Sequence, residues 1–377
     1  MKKDIAIFTT HHLDSNYKVG SYHIYNYLKK KGCAIDYYSA PISLFHYLRF
    51  HDPDTKIRIQ NSSNYKSSNI IPFALFPPIP MLPFNSTFVI KNWYKFSNLN
   101  FKSYSSIIID NIFYFSYVKK LKYRQLIFRI NDYYPNLPGW NNKTIRPLVE
   151  DIKSKADHIL YTSQNLRTLA ESNTDCSVEY LPNGVSHFTQ SNVDNNFKQL
   201  SKIQSIKDKG KKIILYAGAT DKWFSLDFIH HCAKNIPNAY FLIIGKVINK
   251  ISKFKNIIWL GEQPYNTTRH IMSLADVGII PFQNKEYDEL IKGINPIKFY
   301  EYLYHGLSVV SVPLEALNEL KTKIYFAANK IDFCLQIKQA LQERNADTIR
   351  KSTSYVKGFS WDNILNQKLM PLLEGNT

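Results

Sequence analysis

Val277-Gly-Ile-Ile-Pro281, then Asn295-Pro-Ile-Lys-Phe-Tyr-Glu301, then Ser308-Val-Val-Ser-Val312 read as strand, helix and strand. The two flanking runs are apolar without interruption, the pattern of strands buried on both faces of a parallel sheet. Pro296 suits the start of a helix, where its missing N–H costs nothing and its fixed φ is already helical. The helix is expected over Ile297 to Tyr304. A helix between two such strands is a crossover, so the fold class is α/β with a parallel sheet.

The same alternation extends upstream. Lys212-Ile-Ile-Leu-Tyr-Ala217 enters Gly218, Ala239 to Ile244 ends at Gly245, and Asn256 to Leu260 ends at Gly261. Ser225 is placed to cap a helix reaching about Asn235, with Leu226, Ile229, Cys232 and Ala233 on one face. Thr267 to Leu274 is a short helix. The first half repeats the pattern with strands at Asp4–Thr10, Ala34–Tyr38, Ser106–Asp110, Gln125–Ile130 and His158–Thr162, and helices at Tyr22–Lys31 and Ile145–Ala156. At 377 residues the chain exceeds the roughly 250–300 that one core supports, so two domains are expected. We place an N-terminal Rossmann-like domain at 1–185, a second at 186–358 and a C-terminal helix at 359–377, with a linker between Gly184 and Lys211.

The net charge is +18, from 48 Lys+Arg against 30 Asp+Glu. Part of it is a background of Lys, Asn, Ile and Tyr, but residues 42–124 hold 11 basic and 3 acidic side chains and 18 aromatics. That composition suits a phosphate-rich partner such as an anionic lipid surface. No clustered Arg/aromatic nucleic-acid motif accompanies it, so nucleic acid is not expected. The most apolar stretch, Ile70 to Phe84, carries five prolines and reads as an extended loop, not a spanning helix. Cys33, Cys176, Cys232 and Cys334 show neither a CxxC nor a metal-ligand spacing, which argues against a disulfide framework or a zinc site. With no signal-peptide apolar region at the N-terminus, the expected location is cytoplasmic.

Ligands of open α/β sheets bind beyond the carboxyl ends of the strands. Here those ends are Gly218 to Lys222, Gly245-Lys246, Gly261 to Tyr265 and Pro281 to Gln283. Neither Gly-x-Gly-x-x-Gly nor a P-loop occurs. Lys298 lies in the first turn of its helix, where a cation opposes the helix dipole unless an anion sits there. Glu301 shares its face and is suited to accept hydrogen bonds from ribose hydroxyls. An ordinary surface Lys–Glu pair has the same spacing.

Beyond these readings the chain resembles a family. Pro296-Ile-Lys-Phe-Tyr-Glu-Tyr-Leu-Tyr-His-Gly306 with Ser308-Val-Val-Ser311 resembles the donor-site helix and strand of GT-B glycosyltransferases. Ala275 to Phe282, Leu181-Pro-Asn-Gly-Val185, Tyr216 to Phe224 and Phe359-Ser-Trp-Asp362 resemble other segments of the same fold, in order, over roughly residues 156–375. The look is closest to the glucuronosyltransferase of xanthan assembly and related polysaccharide enzymes. The resemblance implies two Rossmann-like domains facing a central cleft, a UDP-linked nucleotide-sugar donor, and no metal or other cofactor. It implies that Lys298 neutralises the donor diphosphate, that Glu301 binds the ribose, and that Gly218, Lys222 and Gly245 lie near the phosphates. Tyr265 would frame the base, with Gln283 and Asn295 as further sugar or base contacts.

Many retaining members carry Glu-x7-Glu, whose first Glu falls here on Gly293. An inverting enzyme instead needs a base to deprotonate the acceptor hydroxyl. Asp132 resembles the aspartate that xanthan-type enzymes use, His12 is the rival, and Asp110 is a third choice. The activity expected is hexosyl or glucuronosyl transfer to a lipid-linked or growing cell-surface glycan, peripherally at the inner face of the cell membrane. A retaining transferase and a non-catalytic nucleotide- or glycan-binding protein are the alternatives.

Overall fold

A computed structural model describes residues 3–42, 70–73, 102–136, 142–189, 199–220, 222–246, 254–283 and 288–375. Two compact units emerge, Met1–Pro182 with Ile364–Thr377, and Asn183–Asn363.

The first unit holds a seven-stranded sheet: β1 (Asp4–Phe8), β2 (Ala34–Ile42), β3 (Ile70–Phe73), β4 (Ser103–Ile109), β5 (Lys122–Ile130), β6 (His158–Tyr161) and β7 (Ser177–Tyr180). Its order is β3-β2-β1-β4-β5-β6-β7, with every pairing parallel. Ile5 to Phe8, Ile107 to Ile109 and Leu126 to Phe128 are almost wholly buried, as strands sandwiched between helical layers must be. Residues 364–377 pack onto this unit: Lys3 Nζ donates to the Leu373 carbonyl at 2.6 Å, and Gln125 Nε2 to the Leu372 carbonyl at 2.9 Å.

The second unit holds six strands: β8 (Lys212–Ala217), β9 (Ala239–Ile244), β10 (Ile257–Gly261), β11 (Val277–Ile280), β12 (Ser308–Ser311) and β13 (Tyr325–Phe326). The order is β10-β9-β8-β11-β12-β13, again all parallel. Both orders reverse direction beside the first strand of their unit, between β1 and β4 and between β8 and β11. These switch points are where a doubly wound sheet opens a crevice at its carboxyl edge.

Most expected elements appear within a few residues of their sequence positions, and Ser225 caps its helix by accepting from the Phe228 N–H. One expectation needs correcting. Ile70 to Phe73, read as the start of a loop, forms an edge strand, a position that tolerates Pro72 because an outward backbone needs no donor. The remainder of the 42–124 patch up to residue 101, and the proline-rich run from 74 to 84, lie outside the described residues. No described helix is long and apolar enough to cross a membrane.

Candidate functional site

At the second switch point, β8 leads into Gly218 and β11 into Pro281. Gly218 has φ +145° and Gly245 φ +155°, values closed to side chains. A Cβ at Gly218 would meet Lys298 Nζ, and one at Gly245 would meet the Gly218 carbonyl. The two glycines therefore let the loop backbones and the lysine close on each other. Tyr216 donates its hydroxyl to the Ala219 carbonyl and Thr220 to the Lys246 carbonyl, tying both loops down. The helix Ile297–Tyr304 aims its N-terminus here. Pro296 is its N-cap, no side chain caps it, and its first turn holds no acidic residue.

The Lys298 amine lies 4.2 Å from the Tyr216 ring centroid and 4.9 Å from that of Phe282. Burial pushes its pKa down to about 7, with Glu301 opposing. Glu301 is itself 6% exposed. Burial raises its pKa against the opposing pull of Arg269, the Tyr265 hydroxyl and Lys298. Its Oε1 is buried without a hydrogen-bond partner. Tyr302, on the same helix, lays its ring over Gly278 of β11 and accepts the Ala217 N–H at 2.9 Å, fixing the helix to the residue before Gly218.

The other expected contacts are less gathered. Asn295 is buried, and its carbonyl accepts from Asn183 Nδ2 at 2.8 Å. Tyr265 opens the helix Tyr265–Leu274. Gln283 is exposed, its backbone N–H bonded to the Trp223 carbonyl, and Lys222 is exposed in the turn after the glycine loop.

In the first unit the three candidate bases occupy the carboxyl edge of adjacent strands: His12 after β1, Asp110 after β4 and Asp132 after β5. Asp110 is 7% exposed, and its Oδ2 lies 3.5 Å from Nη1 of Arg129, which is 2% exposed. The Arg129 guanidinium fills the space a Cβ would need at Gly20, the first residue of the helix Gly20–Lys30. Burial pushes Asp132 up to about 7, with Arg129 opposing and Asp110 adding. His12 is buried, and its Nδ1 accepts the Asp14 N–H at 3.2 Å.

The comparisons with known proteins agree on architecture. Sucrose-phosphate synthase from Thermosynechococcus elongatus superposes with a TM-score of 0.71 at 13% identity, covering 100% of both chains. Anabaena HepE, solved in complex with UDP and glucose, gives 0.64 at 12% identity over 99% of this chain and 100% of its own. The fold is GT-B. No protein-family model matches the chain. TuaH of Bacillus subtilis, named for a glycosyltransferase role in teichuronic acid biosynthesis, is 24% identical over 139 residues, 33% of this chain and 34% of TuaH. The match thus spans about a third of that relative's length.

Sequence reasoning missed Tyr216, Phe282 and Arg269. The aromatic pair had a signal, since each lies at or beside the end of a strand near the helix Ile297–Tyr304. Arg269 had a weaker one, its place one helical turn beyond Tyr265.

Proposed function

We propose that this protein is a glycosyltransferase that moves a sugar from a UDP-sugar to a hydroxyl of a lipid-linked or growing cell-surface glycan, with inversion. One observation carries the reading. Lys298 holds a half-buried amine against a glycine loop at an uncapped helix N-terminus, which makes physical sense when a diphosphate completes the charge. Glu301 then offers Oε1 to the ribose, Gly218, Gly245 and Lys222 flank the phosphates, and Tyr265, Gln283 and Asn295 border the base and sugar. HepE, solved with UDP-glucose as well as with UDP and glucose, supports uridine as the base, and TuaH supports an envelope glycan as the product.

Asp132 is the proposed base. The acceptor oxygen attacks the anomeric carbon, its proton passes to the Asp132 carboxylate, and UDP departs with the electron pair of the broken bond. A carboxylate with its pKa near 7 is matched to that transfer, and Gly293 leaves the retaining pattern without its first glutamate. Of the basic, aromatic segment 42–124, the part before residue 102 is the proposed contact with the inner membrane surface, on composition alone, because Tyr104, Phe113, Tyr114, Phe115 and Tyr117 lie in the core.

The test is thermal stabilisation by UDP, GDP and CMP, followed by a screen of UDP-sugars scored by nucleotide release. Selective stabilisation by UDP and release with inverted anomeric configuration, read by NMR, are expected. Equal indifference to all three nucleotides would remove the transferase reading, and a retained configuration would remove Asp132 from its role.

A further inference from the structure

Beyond the end of β5 the chain runs through Asn131, Asp132 and Tyr133 to Tyr134 and Pro135. Tyr134 is 3% exposed, and its ring lies nearly parallel to that of Phe128 in β5, with 6.2 Å between centroids. Its hydroxyl donates to Asn131 Oδ1 at 2.6 Å. The next nearest acceptors are the carbonyls of Asp110 at 3.1 Å, just after β4, and of Arg129 at 3.3 Å, near the end of β5. Burial, with Asp110 and Asp132 adding, pushes the Tyr134 pKa well up, so the hydroxyl keeps the proton it donates. The Tyr134 N–H donates to the Asp132 carbonyl at 3.0 Å. From the other side, Thr162 after β6 donates its hydroxyl to the Asn131 carbonyl at 3.4 Å and its N–H to the Ile130 carbonyl at 3.1 Å. Asp132 thus sits in a turn pinned at both ends. The bond from Tyr134 to Asn131 closes a ring with only Asp132 and Tyr133 between its ends.

We propose that Tyr134 is a positioning residue for Asp132, its hydroxyl closing the turn that sets the Asp132 carboxyl at the edge of the first sheet. The inference rests on the reading of Asp132 as the base. It explains why tyrosine stands there. A phenylalanine would fill the same apolar space with no polar atom to satisfy, whereas the hydroxyl ties the turn to the ends of two strands. Each residue outside a strand brings two soft dihedrals, and the closed ring fixes those of Asp132 and Tyr133 before an acceptor arrives. Position matters here because a base must lie within about 2.6–3.2 Å of the proton it takes. A displacement of about 1 Å is enough to cost roughly 100-fold in rate.

The experiment is a double-mutant cycle with the full chain: wild type, Tyr134→Phe, Asp132→Asn and the two changes together. Each is assayed for kcat and donor KM with the UDP-sugar that the screen above identifies, and each is titrated with UDP. Tyr134→Phe should lower kcat about tenfold while donor KM and UDP affinity stay unchanged, the split expected when only the transition state loses an interaction. In the Asp132→Asn background the same change should cost nothing further, because no carboxylate is left to position. A merely structural tyrosine would lower the rate by one factor in both backgrounds. Asn131→Ala removes the acceptor and leaves Tyr134 in place. It should reproduce the fall in kcat, and it carries the cycle if Tyr134→Phe does not fold. Additive losses, a rise in donor KM as large as the fall in kcat, or an unchanged kcat overturns the proposal. An Asp132→Asn enzyme as active as wild type overturns instead the reading of the base beneath it, and a wild type that releases UDP from no UDP-sugar overturns the transferase reading.

Discussion

The two sheets share one strand order through six strands but treat the charges at their carboxyl edges differently. In the first unit, Arg129 and Asp110 are both buried and face each other, with Gly20 making room for the guanidinium. In the second, Lys298 is packed against rings and a glycine, and Glu301 keeps one oxygen unpartnered. A buried ion pair is finished structure: removing one partner strands the other at high cost. A half-buried amine packed against rings is unfinished, and the free energy lost in desolvating its charged form is recovered when an anion arrives. On the proposed function, the first edge holds the group that accepts a proton and the second receives charge from outside.

The largest expected effect tests the first edge. Asp132→Asn should lower transfer by about 10²–10⁴-fold, the usual worth of a general base, while UDP binds as before. The wild-type rate should fall on the acid side of pH 7, where Asp132 becomes protonated. Steady-state rates beside UDP titrations decide this, and an active asparagine variant would leave the first edge without a chemical role.

Stability separates the edges next. Arg129→Met should destabilise the protein by about 3–5 kcal/mol in urea unfolding, since it leaves Asp110 buried and unpaired. Lys298→Met should instead leave the ligand-free protein as stable or more so at pH 6. The sign follows from linkage. Lys298 has its pKa near 7 when folded against an ordinary lysine value of 10.5, so the charge opposes folding at low pH and the penalty fades as pH rises from 7 toward 10.5. Equal losses in the two variants would erase the contrast.

Proton uptake is a smaller but more specific signal. At pH 8 the free Lys298 is mostly neutral, and a bound diphosphate favours its charged form, so UDP binding should take up roughly one proton. Calorimetry in buffers of different ionisation enthalpy measures it, and Lys298→Met should show none. The smallest effect is expected of Tyr302→Phe, which strands the Ala217 N–H and should cost about 1–3 kcal/mol, with a modest loss of UDP affinity because Gly218 follows directly.

Central strands were legible because burial on both faces leaves unbroken apolar runs: Lys212–Ala217 and Ala239–Ile244 match residue for residue. Three of the four edge strands were not, the exception being the apolar run of Ile257–Gly261. Ser177–Tyr180 is half-exposed and mixes Glu with Val, Tyr325–Phe326 is two residues long, and Ile70–Phe73 contains a proline. Within the site, Lys298 and Glu301 could be paired from sequence because one helix fixes their spacing. The bonds that Arg269 donates to His305 Nε2 and to the His187 carbonyl could not, because His305 lies 36 residues away and His187 82, and only tertiary packing brings them together. The Arg129–Asp110 pair was hidden for the same reason, each residue sitting at the end of an apolar run that already accounted for its neighbours.

Because residues 364–377 belong to the first unit, the second is in topological terms an insert with both of its junctions internal to the chain. This governs how the molecule can be dissected. A fragment spanning Asn183–Asn363 is continuous and is the natural piece to express by itself. A fragment ending at Pro182 lacks the Leu372 and Leu373 carbonyls to which Gln125 and Lys3 donate, so the first unit is obtained whole only by joining Pro182 to Ile364 through a short linker.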